Sequence, residues 1–152
     1  RPSVIFGKDD QFINLFAKLQ NIFPFMPLAG ANTKFQPVWV QDVAQALVHC
    51  VHTPSTEGQT FDVCGPDVLT LAELVQLAGR WSGHPRPVLP LPYAVGWLQA
   101  LMMEFAPGPT LMSRDNLDSM KVHNISKGNL PGLRALGVAE PKSIKRLFVA
   151  KH

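Results

Sequence analysis

His49 and His52 stand three residues apart in a segment of helical periodicity, so both imidazoles would share one helix face. Two histidines at that spacing could hold a metal, but a zinc site needs three or four ligands. No third ligand is evident, so a structural or surface role is expected for this pair. Cys50 and Cys64 form no C-x-x-C and are too few for a disulfide framework. Both are read as ordinary buried thiols. Tyr93 is the one tyrosine, and Trp97 lies four residues on, so no Tyr-x-x-x-Lys acid/base pair exists. No G-x-G-x-x-G or G-x-x-x-x-G-K phosphate loop occurs, and neither does G-x-S-x-G or H-E-x-x-H. Asn124-Ile125-Ser126 fits the glycosylation pattern and is read as chance.

The elements that would position such residues alternate between extended and helical patterns, which argues for an α/β fold. Val4-Ile5-Phe6, stopped by Gly7, reads as a buried strand. Asp9 or Asp10 would cap a helix reaching about Phe23, with Phe12, Ile13, Phe16, Leu19 and Phe23 as its apolar stripe. Pro24 and Pro27 would end it. Phe35 to Val40 is extended, and Asp42 reads as the N-cap of a helix carrying Val43, Ala44, Leu47, Val48 and Val51. Gln59 to Cys64 reads as a short strand closed by Gly65-Pro66. Thr70 and Glu73 have the spacing of a capping box, with Leu69 and Leu74 as a hydrophobic staple, opening a helix to about Ser82 before Gly83. Residues 85–92 read as a proline-rich connector. Tyr93 to Phe105 reads as a helix apolar around most of its circumference, its Trp97, Met102, Met103 and Phe105 surface suited to core packing, a dimer seam or a partner-facing patch. Ser113 would cap a short helix, and a last one would start at Ser143.

These motifs, taken in order, resemble a known series. Arg1-Pro2-Ser3-Val4-Ile5-Phe6-Gly7 followed by an acidic residue is similar to the late Rossmann strand of the extended short-chain dehydrogenase/reductases. Phe35-Gln36-Pro37-Val38-Trp39-Val40-Gln41-Asp42-Val43-Ala44 resembles the family's Pro-Val-His-Val-x-Asp-Val-Ala motif. Gly58 to Pro66 and then Thr70 to Leu74 match the strand and capped helix that follow it. The series as a whole resembles the atypical, NAD-dependent epimerase/dehydratase-like branch that includes the alpha subcomplex subunit nine type of respiratory complex I.

The resemblance implies the C-terminal part of an extended Rossmann-type fold, mostly helices with a few short strands. Residues 1–152 would then be one substrate-side domain, its dinucleotide-binding part lying upstream and absent here. It implies NAD(P)-linked oxidoreductase or epimerase chemistry on a small or quinone-like substrate. A dinucleotide needs a glycine loop to bring backbone amides to its pyrophosphate, so tight NAD(P) binding by this chain alone is not expected. Pro2, Ser3 and Val4 correspond to family positions near the cofactor, or simply end a strand. Arg1, Gln36, Trp39 and Asp42 are the candidates for substrate contact. Trp39 reads more readily as core and Asp42 as a cap, and no catalytic residue is assigned. A non-catalytic accessory or assembly subunit of a NADH:quinone oxidoreductase-type membrane complex is the alternative.

Composition sets the outer bounds. Of 152 residues, 46% are hydrophobic and 16% charged, enough apolar surface to offset chain ordering. The net charge is +3 without a dense basic run, which gives no sign of nucleic-acid binding. No leader and no uninterrupted apolar run of membrane-spanning length is visible in the sequence. The expected location is cytoplasmic, or the mitochondrial matrix in a eukaryote. An exposed apolar strand edge recruits other chains, so a homo-oligomer burying residues 1–23, residues 93–105 or both is expected.

Overall fold

A computed structural model describes residues 1–7, 11–98 and 122–148. In chain order the described elements are β1 (Ile5–Phe6), α1 (Gln11–Ile22), β2 (Met26–Ala29), β3 (Lys34–Phe35) and β4 (Val38–Trp39). There follow α2 (Val40–His52), β5 (Leu69–Thr70), α3 (Leu71–Ser82) and β6 (Val88–Leu91). Residues 93–98 are helical, Leu133–Leu136 form a 3-10 turn, and Ile144–Leu147 form a last helical turn. The expected α/β class is what the chain adopts.

β1 and β4 pair in parallel, Ile5 opposite Val38 and Phe6 opposite Trp39. Their ladder continues across β1, where Pro2 bridges Val63 in parallel and Ser3 donates its amide to the Val63 carbonyl at 3.1 Å. β2 pairs in parallel with β6, and β3 pairs antiparallel with β5. The β2–β6 pair corrects two expectations. Pro27 lies inside a strand opposite Leu89, and the supposed connector at 85–92 supplies the other strand, with Pro90 opposite Leu28. Each proline removes a backbone donor, which a two-stranded ladder tolerates because both strands are edges.

α3 begins where its capping box predicts. The Glu73 amide donates to Thr70 Oγ1 at 3.2 Å, and the Thr70 amide donates to Glu73 Oε2 at 2.7 Å. Gly83 closes the helix in the left-handed conformation, at φ 78°. Leu69 and Leu74 are both buried in the main core, with Phe6, Phe16, Leu28, Leu71 and Val75. Each such side chain contributes about 1.5–3 kcal/mol by leaving water. α1 packs on α3 through Ile13, Phe16 and Ala17, while Phe23 lies beyond the helix end and half-exposed. Asp9 and Asp10, the expected caps of α1, lie outside the described residues. So do the helix expected at Ser113 and the part of the 93–105 helix beyond Leu98, including Met102, Met103 and Phe105.

α2 departs from expectation in where it starts and in which face it buries. It starts at Val40, so Asp42 sits inside its first turn and is not its N-cap; Trp39 occupies that place without a side-chain hydrogen bond. Its inner face is Asp42, Val43, Ala46 and Cys50, against Val38, Val63 and Leu136. Leu47, Val48 and Val51 point outward, 62%, 58% and 81% exposed. With Val40 and Ala44 they form an apolar stripe at helical spacing along the outer face.

Candidate functional site

Ser3 is the buried polar residue of the N-terminal strand, and three segments converge on it. Its hydroxyl donates to the Asn124 carbonyl at 2.9 Å and accepts the Gln36 amide at 3.3 Å. The Gln36 side chain reaches both ways: Nε2 donates to the Gly65 carbonyl at 2.8 Å, and Oε1 accepts the Ser126 amide at 2.9 Å. Ser126 Oγ then donates to Asp62 Oδ2 at 3.0 Å. The backbone nitrogen of Arg1 donates to the Phe61 carbonyl at 2.8 Å. Arg1, Pro2, Ser3 and Gln36 are thus drawn together in one polar seam, with Val4 next along the strand giving its carbonyl to the Val38 amide.

Gly65 is required for this closeness. A Cβ there would overlap the Pro37 carbonyl oxygen, a backbone atom that cannot swing aside. Glycine at the end of the 59–64 segment therefore lets that segment lie against the Gln36-Pro37 backbone.

Cys64 belongs to the seam and was missed as a site residue, as were Asp62, Asn124 and Ser126. It is half-buried rather than buried, and so is Cys50. Burial pushes the Cys64 thiol up, and the Asp62 carboxylate adds to this, against a smaller opposite pull from the Ser3 and Ser126 amides. A thiol held in that form is a poor nucleophile at neutral pH. The alternation of Phe61 and Val63 with Asp62 and Cys64 was the available signal: one face apolar, the other polar.

Two predicted site residues lie elsewhere. Trp39 packs on Phe6 with ring centroids 5.3 Å apart, and its Nε1 is buried with no hydrogen-bond partner among the described residues. Asp42 is buried below α2, where Oδ2 accepts the Lys142 amide at 2.7 Å. His49 lies against Gly137. Among the described residues no group of three or more His, Cys, Asp or Glu side chains is placed to bind a metal, and no helix is long and apolar enough to cross a membrane.

The seam's hydrogen-bonding groups satisfy one another. Pro2 has no N–H, and the Ser3 hydroxyl is engaged on both sides. The arrangement ties residues 1–4, 36–38, 62–65 and 124–126 to one another.

No established family profile matches the chain. The NADH dehydrogenase (ubiquinone) 1 alpha subcomplex subunit 9, mitochondrial, of Mus musculus is 34% identical over 158 residues, taking in 100% of this chain and 41% of that protein. The chain is thus similar along its whole length to part of a subunit 9 protein. The similar protein of Arabidopsis thaliana is 28% identical across 85% of this chain and 35% of its own length. The chain therefore spans less than half the length of the curated relatives it matches. Among solved structures, epimerase Mth375 of Methanothermobacter thermautotrophicus superposes with a TM-score of 0.63 at 16% identity, covering 97% of this chain and 39% of that one. A dTDP-4-dehydrorhamnose reductase of Bacillus anthracis, solved in complex with NADP, gives 0.59 at 18% identity over 97% and 44%. The fold is that of the epimerases and reductases of the Rossmann type, as the motif series implies.

Proposed function

We propose that these residues form the substrate-side part of an NAD(P)-linked oxidoreductase- or epimerase-like protein of the subunit 9 kind. The observation that carries this reading is the seam itself. Ser3 and Gln36 lock the parallel run of residues 1–6, 38–39 and 63 into a fixed wall, in a fold shared with epimerases and reductases. Pro2, Ser3 and Val4 would face the cofactor through backbone and packing, since the Ser3 hydroxyl is engaged. Arg1 and Gln36 would border a small or quinone-like substrate. Trp39 and Asp42, set into the core and beneath α2, would support that wall from behind. Hydride chemistry belongs to a nicotinamide cofactor when one is bound. Calorimetric titration of this chain with NADPH and with NADH tests the reading. No saturable binding is expected, and tight stoichiometric binding would overturn it.

A second reading has its own support. Relatives carry names of NADH dehydrogenase and NADH-ubiquinone oxidoreductase subunits. The outward stripe of Leu47, Val48 and Val51 is the kind of surface a subunit covers on assembly. On this reading the protein is a non-catalytic accessory subunit of a membrane complex, in the mitochondrial matrix if the source is eukaryotic. Native gels of solubilised membranes separate the two. Migration with a large NADH:quinone oxidoreductase favours the accessory role, and migration apart from it counts against that role.

A further inference from the structure

An open cleft of about 790 Å³ lies between Pro66-Asp67, which directly follow the seam residue Gly65, the 3-10 turn at Leu133–Leu136 and the segment 139–147. Four cations line it: Arg134, Lys142, Lys145 and Arg146. All four are exposed, and none of them is in an ion pair among the described residues. This concentration is unexpected in a chain whose net charge is only +3.

The nearby carboxylates offset it only in part, and two of them are held in place by backbone and hydroxyl groups. Asp42 accepts the Lys142 amide at 2.7 Å, and Asp67 Oδ2 accepts the Ser143 hydroxyl at 2.5 Å. Those two bonds pin residues 142–143 against the body of the domain. The ammonium of Lys142 is left in the cleft while its own amide is tied below. Asp67 and Glu140 are the two acids of the lining, against four cations. Lys145 also acts on Glu73, where it adds weakly to the pull of Thr70 on that carboxyl. Like charges gathered in this way repel one another, and the repulsion is relieved by a bound anion.

We propose that this cleft docks an acidic peptide segment of a protein partner. Its shape favours a chain over a bilayer: a concave groove admits an extended segment, whereas a flat anionic surface meets cations that project from a convex face. Exposed cations on two walls suit a ligand with several spaced carboxylates better than one compact anion. The lining has no aromatic side chain on which a base could stack, which counts against single-stranded nucleic acid. The groove does not depend on the cofactor reading, so NADPH titration and peptide binding can fail separately.

The test is fluorescence anisotropy with a labelled peptide of alternating glutamate and serine, against the same peptide with glutamine. Saturable binding of the glutamate peptide alone is expected, weakening as salt is raised from about 50 mM to about 500 mM. The pair Lys142→Glu and Arg146→Glu should weaken it about tenfold or more, and Lys18→Glu, on exposed α1 surface, less than about twofold. If the charge-reversed pair loses its cooperative melt, Lys142→Gln with Arg146→Gln replaces it, with a smaller loss expected. Absence of binding, or equal binding by the variants, overturns the proposal. It is also overturned if inorganic phosphate at low millimolar concentration displaces the peptide fully, or if phosphatidylserine vesicles bind the groove and the peptide does not.

Discussion

Gln20 lies so close to Gly79 that a Cβ at position 79 would overlap the Gln20 side-chain oxygen. Gln20 is fully buried, and its position is fixed from several sides. Nε2 donates to the Val75 carbonyl at 2.7 Å, and Oε1 accepts the Arg86 amide at 3.2 Å. One amide thus ties α1 to α3 and to the entry of β6, and glycine in mid-helix is the condition for it. Gly79→Ala should therefore destabilise the domain. Helix propensity favours alanine by about 1 kcal/mol, but overpacking against a held side chain costs about 1–3 kcal/mol. Urea midpoints check this, and Gln20→Ala in the same chain should recover part of the Gly79→Ala loss. Additive losses would mean that the two residues do not share this space.

Thr70→Ala removes the acceptor of the Glu73 amide and the partner of the Glu73 carboxylate. The expected loss is about 0.5–2 kcal/mol. The Thr70 amide and hydroxyl hold the Glu73 carboxyl below its ordinary range. A depressed acid stabilises the fold above its unfolded pKa and ceases to do so as pH falls through its folded one. The gap in melting temperature between wild type and Thr70→Ala should accordingly narrow on acidification below about pH 4. A gap constant from pH 7 to pH 3 would show that the capping box is not formed.

Cys64 should be slow to alkylate at neutral pH, because both burial and Asp62 disfavour its thiolate. The rate with iodoacetamide, followed by mass spectrometry of the Cys64 peptide, should rise with an inflection above that of free cysteine. Asp62→Asn removes the second cause and leaves the first, so the inflection should move down only part of the way. Since the folded thiol is raised, the fold loses stability as pH climbs past the unfolded value of about 8.5. An inflection at or below that value would contradict the burial of this seam.

What could be read from the sequence was local. The Thr70–Glu73 box and the Gly83 stop lie within one helix, and their partners are a turn apart. Ser3 and Gln36 were found through motif order, yet their seam partners Asn124 and Ser126 lie 121 and 90 residues on, in a stretch that looked incidental. Asp42 looked like a cap because an acid preceded apolar periodicity. Its real partner is the Lys142 amide, a hundred residues away, and the helix starts two residues earlier. Pro27 and Pro90 read as breakers because nothing local shows that each meets an edge strand. The stripe of α2 was legible as apolar, but the pattern alone does not say which side of the helix the domain covers.

That stripe moves the expected association surface. The N-terminal segment offers less than its sequence suggests: Phe6 is buried, and Phe12 packs edge-on against Phe16 at 5.1 Å. Ile5 remains half-open on the other face of β1, beside α2. Leu47, Val48 and Val51 add three largely exposed branched side chains on two successive turns, a contiguous surface that water solvates poorly. Association through α2 is the expected outcome, whether with a second copy or with another part of a larger assembly. Light scattering of the purified chain at micromolar concentration should show species above 16.7 kDa. Leu47→Lys with Val51→Glu should return it to the monomer mass while leaving the melting temperature nearly unchanged, because neither side chain contributes to the core. Persistence of the larger species in that variant would place the contact elsewhere, and a wild-type monomer at those concentrations would remove self-association as the role of this face.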